Sequence, residues 1–560
     1  MLYLSKKHDP IKNETLLSKW FETNHTLKDS IEETSQLFKS FLNQQSTLRK
    51  LPVHSRKPTK FLIPRLLLTT KKQPPLINAP TYQFEEGKPY PEWKTLLDQE
   101  YTRLNNKIDS HVNVLTFGAV GDGKTDNTHA FKKAIGNGKR MVYIPEGVYI
   151  TQGIKLPSWT CFIGEGKGKT VIKLANDAPK KARLLTNAHH IRGNHHIVVQ
   201  GMTLDWNVER LDANENTSAG NNQSSCLTYA HVKYGWVRDV EAINPGLHSF
   251  DVSAAYYTYF GDGTRSRWPS KYIWLDHLNG YGFGDDGVTT HHSSHILITN
   301  SHMCDPSGRS HKKGFSNSNG FEVDDGSHDV WLMNNSSTRC FGGVEIKAHD
   351  TASAAANVHI IGHISVNDNR SYNFRHIGHH QEGDPESQSA FNITATNIIS
   401  IAPVFTDLYK NSTPRCLVVS AYQNVVINHF VMIGDPEYDY QNNPMISLQY
   451  RSRNICLNHV TSKNFKTAGT DIKVVGGSQH TENISLRKIS IHHSAPQAIE
   501  VGKGIESISI SDVEAIVDKG IYALKSAQNL EHLYNIQASG YRAPIMLAGE
   551  VKQNITRQLT

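Results

Sequence analysis

Closely spaced carboxylates are the residues of this sequence best suited to acid–base chemistry. Asp285 and Asp286 are adjacent in the segment GDDGVTTHHS, and Glu322 and Asp324 alternate in NGFEVDDGSHDV. Two like charges about 5 Å apart repel by roughly 3 kcal/mol at an effective dielectric constant of about 20. That repulsion raises the pKa of one carboxyl group toward the range of a general acid. With Glu345, these residues are the candidate catalytic groups for cleaving a glycosidic or phosphodiester bond.

A second set of side chains in the same region is suited to substrate binding. Lys347 and Arg375 can hold a phosphate or carboxylate group of a polyanionic polymer. The segment 256–274 is rich in aromatic residues, which can stack on sugar rings or simply cover the coil, and the sequence leaves both open. The candidate substrate-binding residues are Asp251, Tyr257, Trp268, His291, His292, Asp325, Lys347, His349, Arg375 and His376.

These residues lie within a chain of short repeats. Strand-like segments, each a polar start followed by alternating aliphatic residues, recur from HHIVVQGMTLD at His195 to QNLEHLYNIQA at Gln528. Repeats of roughly 20–40 residues that lack helical periodicity indicate a solenoid built of strands. The predicted fold class is all-β, a right-handed single-stranded parallel β-helix over residues 195–545, with an N-terminal arm of helices and extended chain.

The repeats can be aligned on a small residue before each strand, namely Ser249, Gly287, Gly320, Gly343 and Ser371. Strand alternation then directs the first and third residues after it inward and their neighbours outward. Rungs are about 4.8 Å apart. The predicted outward columns are Asp251, Thr289, Glu322, Glu345, Asn373, and Ser253, His291, Asp324, Lys347, Arg375. A polar ladder of this kind is either a site, predicted around residues 248–380, or an ordinary solvated face.

The first 110 residues have a different character. They contain 18 Lys/Arg and 12 Asp/Glu, a balance of +6 out of the whole chain's +7, so the rest is nearly neutral and does not resemble a nucleic-acid-binding protein. Apolar spacing over 11–50 and 91–110 predicts helices, and 52–91 holds eight of the 22 prolines. The predicted domains are a separable attachment or oligomerisation arm at 1–110, a β-helix entry and cap at 111–194, the β-helix at 195–545, and a tail at 546–560.

Several classes of protein are excluded by composition. No apolar run approaches the roughly 18 residues of a membrane span, and the N-terminus lacks the apolar core of a secretory signal. Synthesis in a cytoplasm and no membrane insertion are therefore expected. The six cysteines form no CxxC pair, so reduced thiols are expected rather than disulfides or a zinc site.

Three groups of motifs resemble known families. FGAVGDGKTDNTHAFKKAI at 117–135 and IPEGVYI at 144–150 resemble the opening of pectate-lyase-like β-helices. Gly284-Asp285-Asp286-Gly287-Val288 is similar to the aspartate pair of polygalacturonase-type glycosidases, although Glu345-Ile346-Lys347 stands where they have Arg-Ile-Lys. Together, GDDGVTTHHS, NGFEVDDGSHDV, GVEIKAH and SYNFRHIGHH resemble the pre-neck appendage or tailspike proteins of podophages that infect Gram-positive bacteria.

The resemblance implies a homotrimeric virion protein, held to other virion proteins through residues 1–110, that binds and cleaves a host cell-wall polymer during adsorption. Wall teichoic acid is the expected substrate. Two alternatives stay open: a receptor fibre that binds glycan without cleaving it, and a pectate-lyase-like or polygalacturonase-like enzyme acting on an acidic polysaccharide. No cofactor is expected, although Asp285, Asp286, Asp324 and Asp325 could bind a divalent cation.

Overall fold

The computed structural model describes residues 2–21, 26–44, 79–257, 266–350 and 352–555. Most of the proline-rich segment, together with Tyr259 and Phe260, lies outside these residues. Four α-helices are present in the described part: α1 (Asn13–Ser18), α2 (Leu27–Gln44), α3 (Lys94–Asn105) and α4 (Thr128–Ile135). The predicted helix at 91–110 is thus confirmed as α3. None of the described helices has the length and apolar character needed to span a membrane.

Parallel strands stack rung upon rung in three ladders, which confirms the predicted β-helix. Two ladders share long bent strands and form the two flank sheets. Their strands are Ser110–Asn113, Asp122–Asp126, Arg140–Ile144, Gly147–Thr151, Thr160–Gly164, Thr170–Leu174, Asn194–Asp205, Val232–Ile243, Lys271–Asp276, Asn279–Tyr281, Ser294–Thr299, His302–Cys304, His328–Thr338, Ala356–Val366, Phe391–Ile401, Gln423–Ile433, Arg453–Lys463, Glu482–His492, Ile508–Ser526 and His532–Leu547.

The third ladder, called the site sheet, carries the predicted columns. Its strands are Ile154–Leu156, Leu185–Asn187, Leu227–Ala230, Phe250–Ser253, Val288–His291, Asn319–Val323, Gly342–Ala348, Arg370–His376, Arg415–Ser420, Pro444–Gln449, Thr470–Val475 and Gln497–Val501, and the ends of the last two flank strands complete it. Within the described residues, three pairs of strands are antiparallel: Tyr82–Glu85 with Lys88–Pro91, Tyr256–Tyr257 with Ser266–Arg267, and Glu550–Lys552 with the end of His532–Leu547.

The polar starts of the repeats have a structural reason. Asn392, Asn424, Asn454 and Asn483 adopt positive φ between 52° and 66°, a conformation that Asn tolerates better than most residues. Each also donates a side-chain hydrogen bond of 2.8–3.0 Å to the asparagine one rung earlier, beginning at Asn357. The asparagines therefore turn the chain into each rung and tie successive rungs together.

A continuous apolar core fills the coil. The residues predicted to point inward from the site sheet belong to it, including Phe250, Val288, Phe321, Val344 and Tyr372, each fully buried. All six cysteines are buried free thiols, as expected.

The described N-terminal helices are packed on the β-helix, and the separability of the arm stays a prediction. Ile31 of α2 packs with Leu297 and Trp331 of the flank sheets. Phe38 of α2 packs on Val426. Because burial of each such side chain contributes about 1.5–3 kcal/mol, a chain starting near His111 would expose an apolar flank rather than stay intact.

The same holds for the other arm helices. Leu97 and Leu104 of α3 pack against Val198 and Trp236, and Leu17 of α1 contacts the flank strands farther along. The amphipathic pattern of residues 11–50 and 91–110 is therefore explained by docking onto the β-helix.

Candidate functional site

The register of the site sheet agrees with the predicted columns. Asp251 pairs with Thr289, Thr289 with Glu322, Glu322 with Glu345 and Glu345 with Asn373. In the second column Ser253 pairs with His291, and Lys347 with Arg375. Asp324 directly follows its strand, which ends at Val323. The predicted acids and cations thus lie on neighbouring rungs of one face.

These side chains are much more buried than those of an ordinary solvated face. Asp286 and Asp324 are each 1% exposed, and Glu322 and Glu345 are 3% and 1% exposed. Loops extend over this part of the sheet: Asn222 donates to the Ser253 hydroxyl at 2.8 Å. The carboxylates therefore form a shielded group on one face of the site sheet, and this region with its covering loops is called the cleft.

A histidine links the carboxylates on the upstream side of the cleft. The Nδ1 atom of His248 is 2.8 Å from Oδ2 of Asp251, and its Nε2 atom is 3.8 Å from Oδ2 of Asp285 and 3.6 Å from Oδ2 of Asp286. Burial alone would lower the pKa of His248, but its bonds to Asp251 and Asp285 raise the pKa to about 9. His248 is therefore a buried imidazolium that supports two ionised aspartates.

The adjacent aspartates Asp285 and Asp286 hold their protons differently. Although burial opposes ionisation of Asp285, its contacts with His248 and His311 bring its pKa well below the usual range, and His311 Nε2 lies 2.9 Å from its Oδ1. Burial and the neighbouring charges of Asp285 and Glu322 raise the pKa of Asp286 well above the usual range. The pair thus combines an ionised carboxylate with a protonated carboxyl group.

Lys347 lies among four carboxyl groups that are called the acid cluster: Asp286, Glu322, Asp324 and Glu345. Its Nζ atom is 2.7 Å from Oε1 of Glu322, and the lysine and glutamate side chains are only 6% and 4% exposed. Burial opposes its charge, but Glu322, Asp324, Glu345 and Asp286 raise the lysine pKa well above its ordinary value. Lys347 is therefore bonded to the protein's own carboxylates, and its role as a direct holder of a substrate anion stays a prediction.

Asp324 and Asp325 form a second pair of neighbouring aspartates. Burial disfavours the charge of Asp324, but Lys347 and His291 lower its pKa below the usual range, and His291 Nε2 is 3.5 Å from its Oδ2. Burial and the charge of Asp324 raise the pKa of Asp325, whose Oδ2 lies 3.0 Å from Nδ1 of His349. The pKa values of these two adjacent aspartates are therefore shifted in opposite directions.

The downstream edge of the cleft contains Glu345 and Arg375. Asn373 donates to Oε1 of Glu345 at 2.7 Å, and Arg375 Nη2 is 4.0 Å from the same oxygen. Burial raises the pKa of Glu345, although Lys347 and Arg375 oppose the shift.

The remaining predicted residues divide between the cleft and its surroundings. The Tyr257 ring is stacked on His291, with centroids 5.2 Å apart, and is 5.4 Å from His292. Burial lowers the pKa of His292 to about 3, so it is neutral. His376 is buried against Ser387 and the carbonyl of Ala352. Trp268 stacks instead on His231, and no contact joins it to the acid cluster within the described residues.

Three groups of ligand atoms in this cleft lie close enough to hold a divalent cation. They are His248 with Asp285 and Asp286, His291 with Glu322 and Asp324, and Asp324 with Asp325 and His349. In the second group Lys347 already neutralises Glu322. A cation there would have to displace the lysine or share its carboxylate.

Two site residues were not among the predicted ones. His248 lies three residues before Asp251 in the stretch Leu247-His248-Ser249-Phe250-Asp251, so its spacing was a usable signal. His311 comes from the loop after the strand His302–Cys304, and no local pattern connects it to Asp285.

In chemical terms the cleft combines a protonated carboxyl group, ionised carboxylates and charged histidines, shielded from bulk water. This arrangement can supply a proton to a leaving group and accept one from a water molecule, the two steps of general acid–base hydrolysis.

Comparison with known proteins identifies relatives along most of the chain. A family model described as rhamnogalacturonase A/epimerase, pectate lyase-like, matches residues 111–345. The putative phage-related protein YobO of Bacillus subtilis (strain 168) is 48% identical over 470 residues, covering 84% of this chain and 58% of that protein. The pre-neck appendage protein of Bacillus phage phi29 is 40% identical over 445 residues, covering 78% of this chain and 51% of that protein. This chain spans about half the length of the curated relatives it matches.

A solved structure shows the same similarity. The crystal structure of the N-terminal fragment of phage phi29 gene product 12 has a TM-score of 0.73 and 37% identity, covering 83% of this chain and 76% of that chain.

Proposed function

Because the chain belongs to the family of phage pre-neck appendage proteins, we propose that it is a depolymerase that binds and hydrolyses a host cell-wall polymer during adsorption. As a member of this family it is a virion component, as the sequence resemblance predicted. The proposed substrate is wall teichoic acid.

The observation that carries the proposal is the packing of the neighbouring carboxyl groups of Asp285 and Asp286 against His248, whose Nε2 atom is 3.8 Å and 3.6 Å from their Oδ2 atoms. A protonated Asp286 beside an ionised Asp285, both in a shielded cleft, is costly to maintain in a purely structural element. Perturbed pairs of this kind are typical of acid–base catalytic sites.

In the proposed reaction, Asp286 gives its proton to the leaving oxygen as the phosphorus–oxygen bond breaks. A water molecule attacks the phosphorus atom and loses a proton to Asp324, whose buried Oδ1 has no hydrogen-bond partner within the described residues. Water is thereby added across the cleaved bond. Lys347 holds Glu322 and the neighbouring acids in place, and His248 does the same for Asp251 and Asp285. The same groups could act on a glycosidic bond, with the anomeric carbon in place of phosphorus.

The test is incubation of the protein with purified Bacillus subtilis walls and identification of released products by mass spectrometry. Glycerol phosphate or ribitol phosphate fragments are expected from the wild type, and none from walls whose teichoic acid has first been extracted. Release of sugars alone would transfer the proposal to a wall polysaccharide. No release by wild-type protein from either wall preparation would refute the depolymerase function.

A second candidate function, binding without cleavage, is favoured by one observation. The side chains of Asp286, Glu322 and Asp324 are almost completely shielded, so a polymer could dock on the rim without reaching them. In that case the protein would co-sediment with intact walls, and the Asp286→Asn variant would co-sediment equally well without any product in either sample.

The assembly proposal is that residues 1–110 contribute to attachment and that the chain forms a homotrimer. Large apolar side chains remain exposed on the arm although the arm is docked: Tyr3 is 72% and Ile11 59% exposed. Such residues can contact another subunit or another virion protein. Mass photometry of the purified protein tests the oligomer directly, and a Tyr3→Ser, Ile11→Ser variant should lose the assembly while its β-helix stays folded.

A further inference from the structure

An arginine cluster lies next to the acid cluster, one to two rungs farther along the site sheet. Arg370 and Arg415 begin adjacent strands and are register partners, so their backbones are about 4.8 Å apart. Arg375 follows on the same strand as Arg370 and faces Glu345. The distance from the rung of Glu322 to the rung of Arg370 is two rungs, or roughly 10 Å.

The cluster has too few acceptors for its positive charge. Among the described residues Arg370 forms no ion pair, and its buried Nε atom has no partner; the same is true of the Nε atom of Arg375. Arg415 donates only to uncharged groups, the Pro414 carbonyl at 2.8 Å and Asn443 Oδ1 at 3.4 Å. Burial lowers the pKa of Arg370 and of Arg415 to about 10, and each is nevertheless charged at neutral pH.

The nearby carboxylate does not neutralise the cluster. Glu345 is 4.0 Å from Arg375, already accepts a hydrogen bond from Asn373, and shares the charge of Lys347. The charges of Arg370 and Arg375 thus act on a carboxylate that is already bonded to Asn373, and Arg415 lies beside Arg370 on the next rung. All three arginines are half-buried, and a half-buried guanidinium group without a full complement of acceptors favours the binding of an external anion.

Aromatic rings border the arginines. The Phe341 ring lies 5.7 Å from Cζ of Arg370, and the Tyr409 ring is 5.2 Å from Phe341. Phe315 lies 6.3 Å from Tyr409 and is 51% exposed, whereas Tyr409 is 36% exposed. Ligand-binding sites are lined mainly by apolar and aromatic side chains, with a few polar or charged groups that orient the ligand. The arginines and the neighbouring rings have this composition.

We propose that Arg370, Arg375 and Arg415 form an oxyanion-binding subsite, which takes the phosphate or carboxylate group of the polymer unit next to the cleaved bond while Tyr409 and Phe315 contact its sugar or polyol. This inference rests on the proposed function and deepens it. It transfers the anion-holding role from Lys347, which is 2.7 Å from Glu322, to Arg370 and Arg415, which have no carboxylate partner among the described residues, and to Arg375, which is 4.0 Å from Glu345.

The first experiment measures anion binding without any turnover. Isothermal titration calorimetry of the full chain with inorganic phosphate is expected to show saturable binding. The Arg370→Gln, Arg415→Gln double variant should weaken it at least tenfold, whereas Arg370→Lys should retain part of it. The matched control is Arg453→Gln, because Arg453 is already paired with Glu386 and Glu482 and should leave phosphate binding unchanged. Circular dichroism confirms that each variant is folded, and the single Gln variants replace the double variant if it does not fold.

Acetate and glucuronate, titrated in parallel, distinguish a carboxylate from a phosphate source. The subsite would be overturned if the wild type bound neither phosphate nor the carboxylates. It would also be overturned if the double variant bound phosphate as tightly as the wild type, or if Arg453→Gln lost as much affinity as the double variant.

The second experiment separates the subsite from the proposed function. On a cleaved polymer, either poly(glycerol phosphate) or polygalacturonate, the double variant should raise KM at least tenfold with kcat unchanged. If the wild type cleaves no polymer but binds phosphate through these arginines, the depolymerase function fails and the subsite stands. If cleavage occurs with the same KM in both proteins, only the subsite fails.

Discussion

The upstream and downstream halves of the site sheet have the same backbone arrangement but differ in how deeply their charged side chains are buried. Upstream, Lys347 and Glu322 form an ion pair with side chains 6% and 4% exposed, surrounded by further acids. Downstream, Lys473 and Glu500 form an ion pair of 3.1 Å on adjacent rungs, but their side chains are 33% and 25% exposed. The fold therefore accommodates both ion pairs. Only the buried pair of Lys347 and Glu322 has a large desolvation cost, which indicates a functional role.

Buried aspartates show the same contrast. Asp471, downstream, accepts hydrogen bonds from the hydroxyls of Ser462 and Ser494 and from the amide of Ala495. Burial raises its pKa to about 6, but its bonds are fully internal. Asp286 accepts bonds from Asn319 and otherwise faces charged groups of the cleft. A satisfied buried acid is structural, and an acid among unneutralised charges is the candidate for chemistry.

The sharpest test of this contrast is Asp286→Asn against Asp471→Asn. Loss of a general acid costs about 10²–10⁴ in rate, so Asp286→Asn should lower product release from purified walls by at least that order. Asp471→Asn should retain wild-type turnover, since Asp471 lies outside the cleft. Equal turnover in the two variants would make Asp286 another structural acid.

Lys347→Met against Lys473→Met tests the ion pairs. Removing Lys347 leaves several buried carboxylates without their cation, for which about 3–5 kcal/mol of destabilisation is expected. Removing Lys473 breaks an exposed pair worth roughly 0.2–1 kcal/mol. The apparent Tm at a fixed scan rate should therefore fall much further for Lys347→Met. Similar shifts for both variants would show that the upstream acids are not held as charges.

The alternating repeats were sufficient to predict the β-helix, the inward residues such as Phe250 and Val344, and the register that joins Glu322 to Glu345. These features depend on strand period alone. The burial of the acids could not be predicted, because it depends on loops whose sequences have no period, such as the one that brings His311 to Asp285. The docking of α2 was missed for a similar reason: an amphipathic helix reveals its apolar face but not the surface that covers it.

The pH dependence of stability offers a third comparison. The folded-state pKa of His248 is raised to about 9 from an ordinary value of 6.5. A raised pKa means that its stabilising contribution is fully present below about pH 6.5 and is lost as the pH rises through 9. Burial lowers the pKa of His363, in the core of the coil, to about 3, so its contribution is instead lost as the pH falls below about 6.5.

His248→Gln should consequently reduce the fall in Tm between pH 6.5 and 9.5, whereas His363→Gln should not alter that alkaline slope. Thermal scans of the three proteins across this range supply the measurement. An unchanged alkaline slope in His248→Gln would show that the imidazolium contact with Asp251 and Asp285 contributes nothing to folding.

The smallest expected effect concerns the aromatic cover of the upstream half. Tyr257 stacks on His291 at the rim of the cleft, and such ring pairs contribute about 0.5–1.5 kcal/mol. If Tyr257 also contacts the polymer, Tyr257→Leu should raise KM several-fold at a nearly unchanged kcat, because a stacking ring contributes to binding rather than to proton transfer. Tyr522, on the downstream end of the same ladder, provides the matched control, and Tyr522→Leu should leave KM unchanged. A fall in kcat with constant KM for Tyr257→Leu would instead indicate that the ring acts through His291, whose Nε2 atom is 3.5 Å from Oδ2 of Asp324. Tyr257 would then belong to the residues that position the acid cluster.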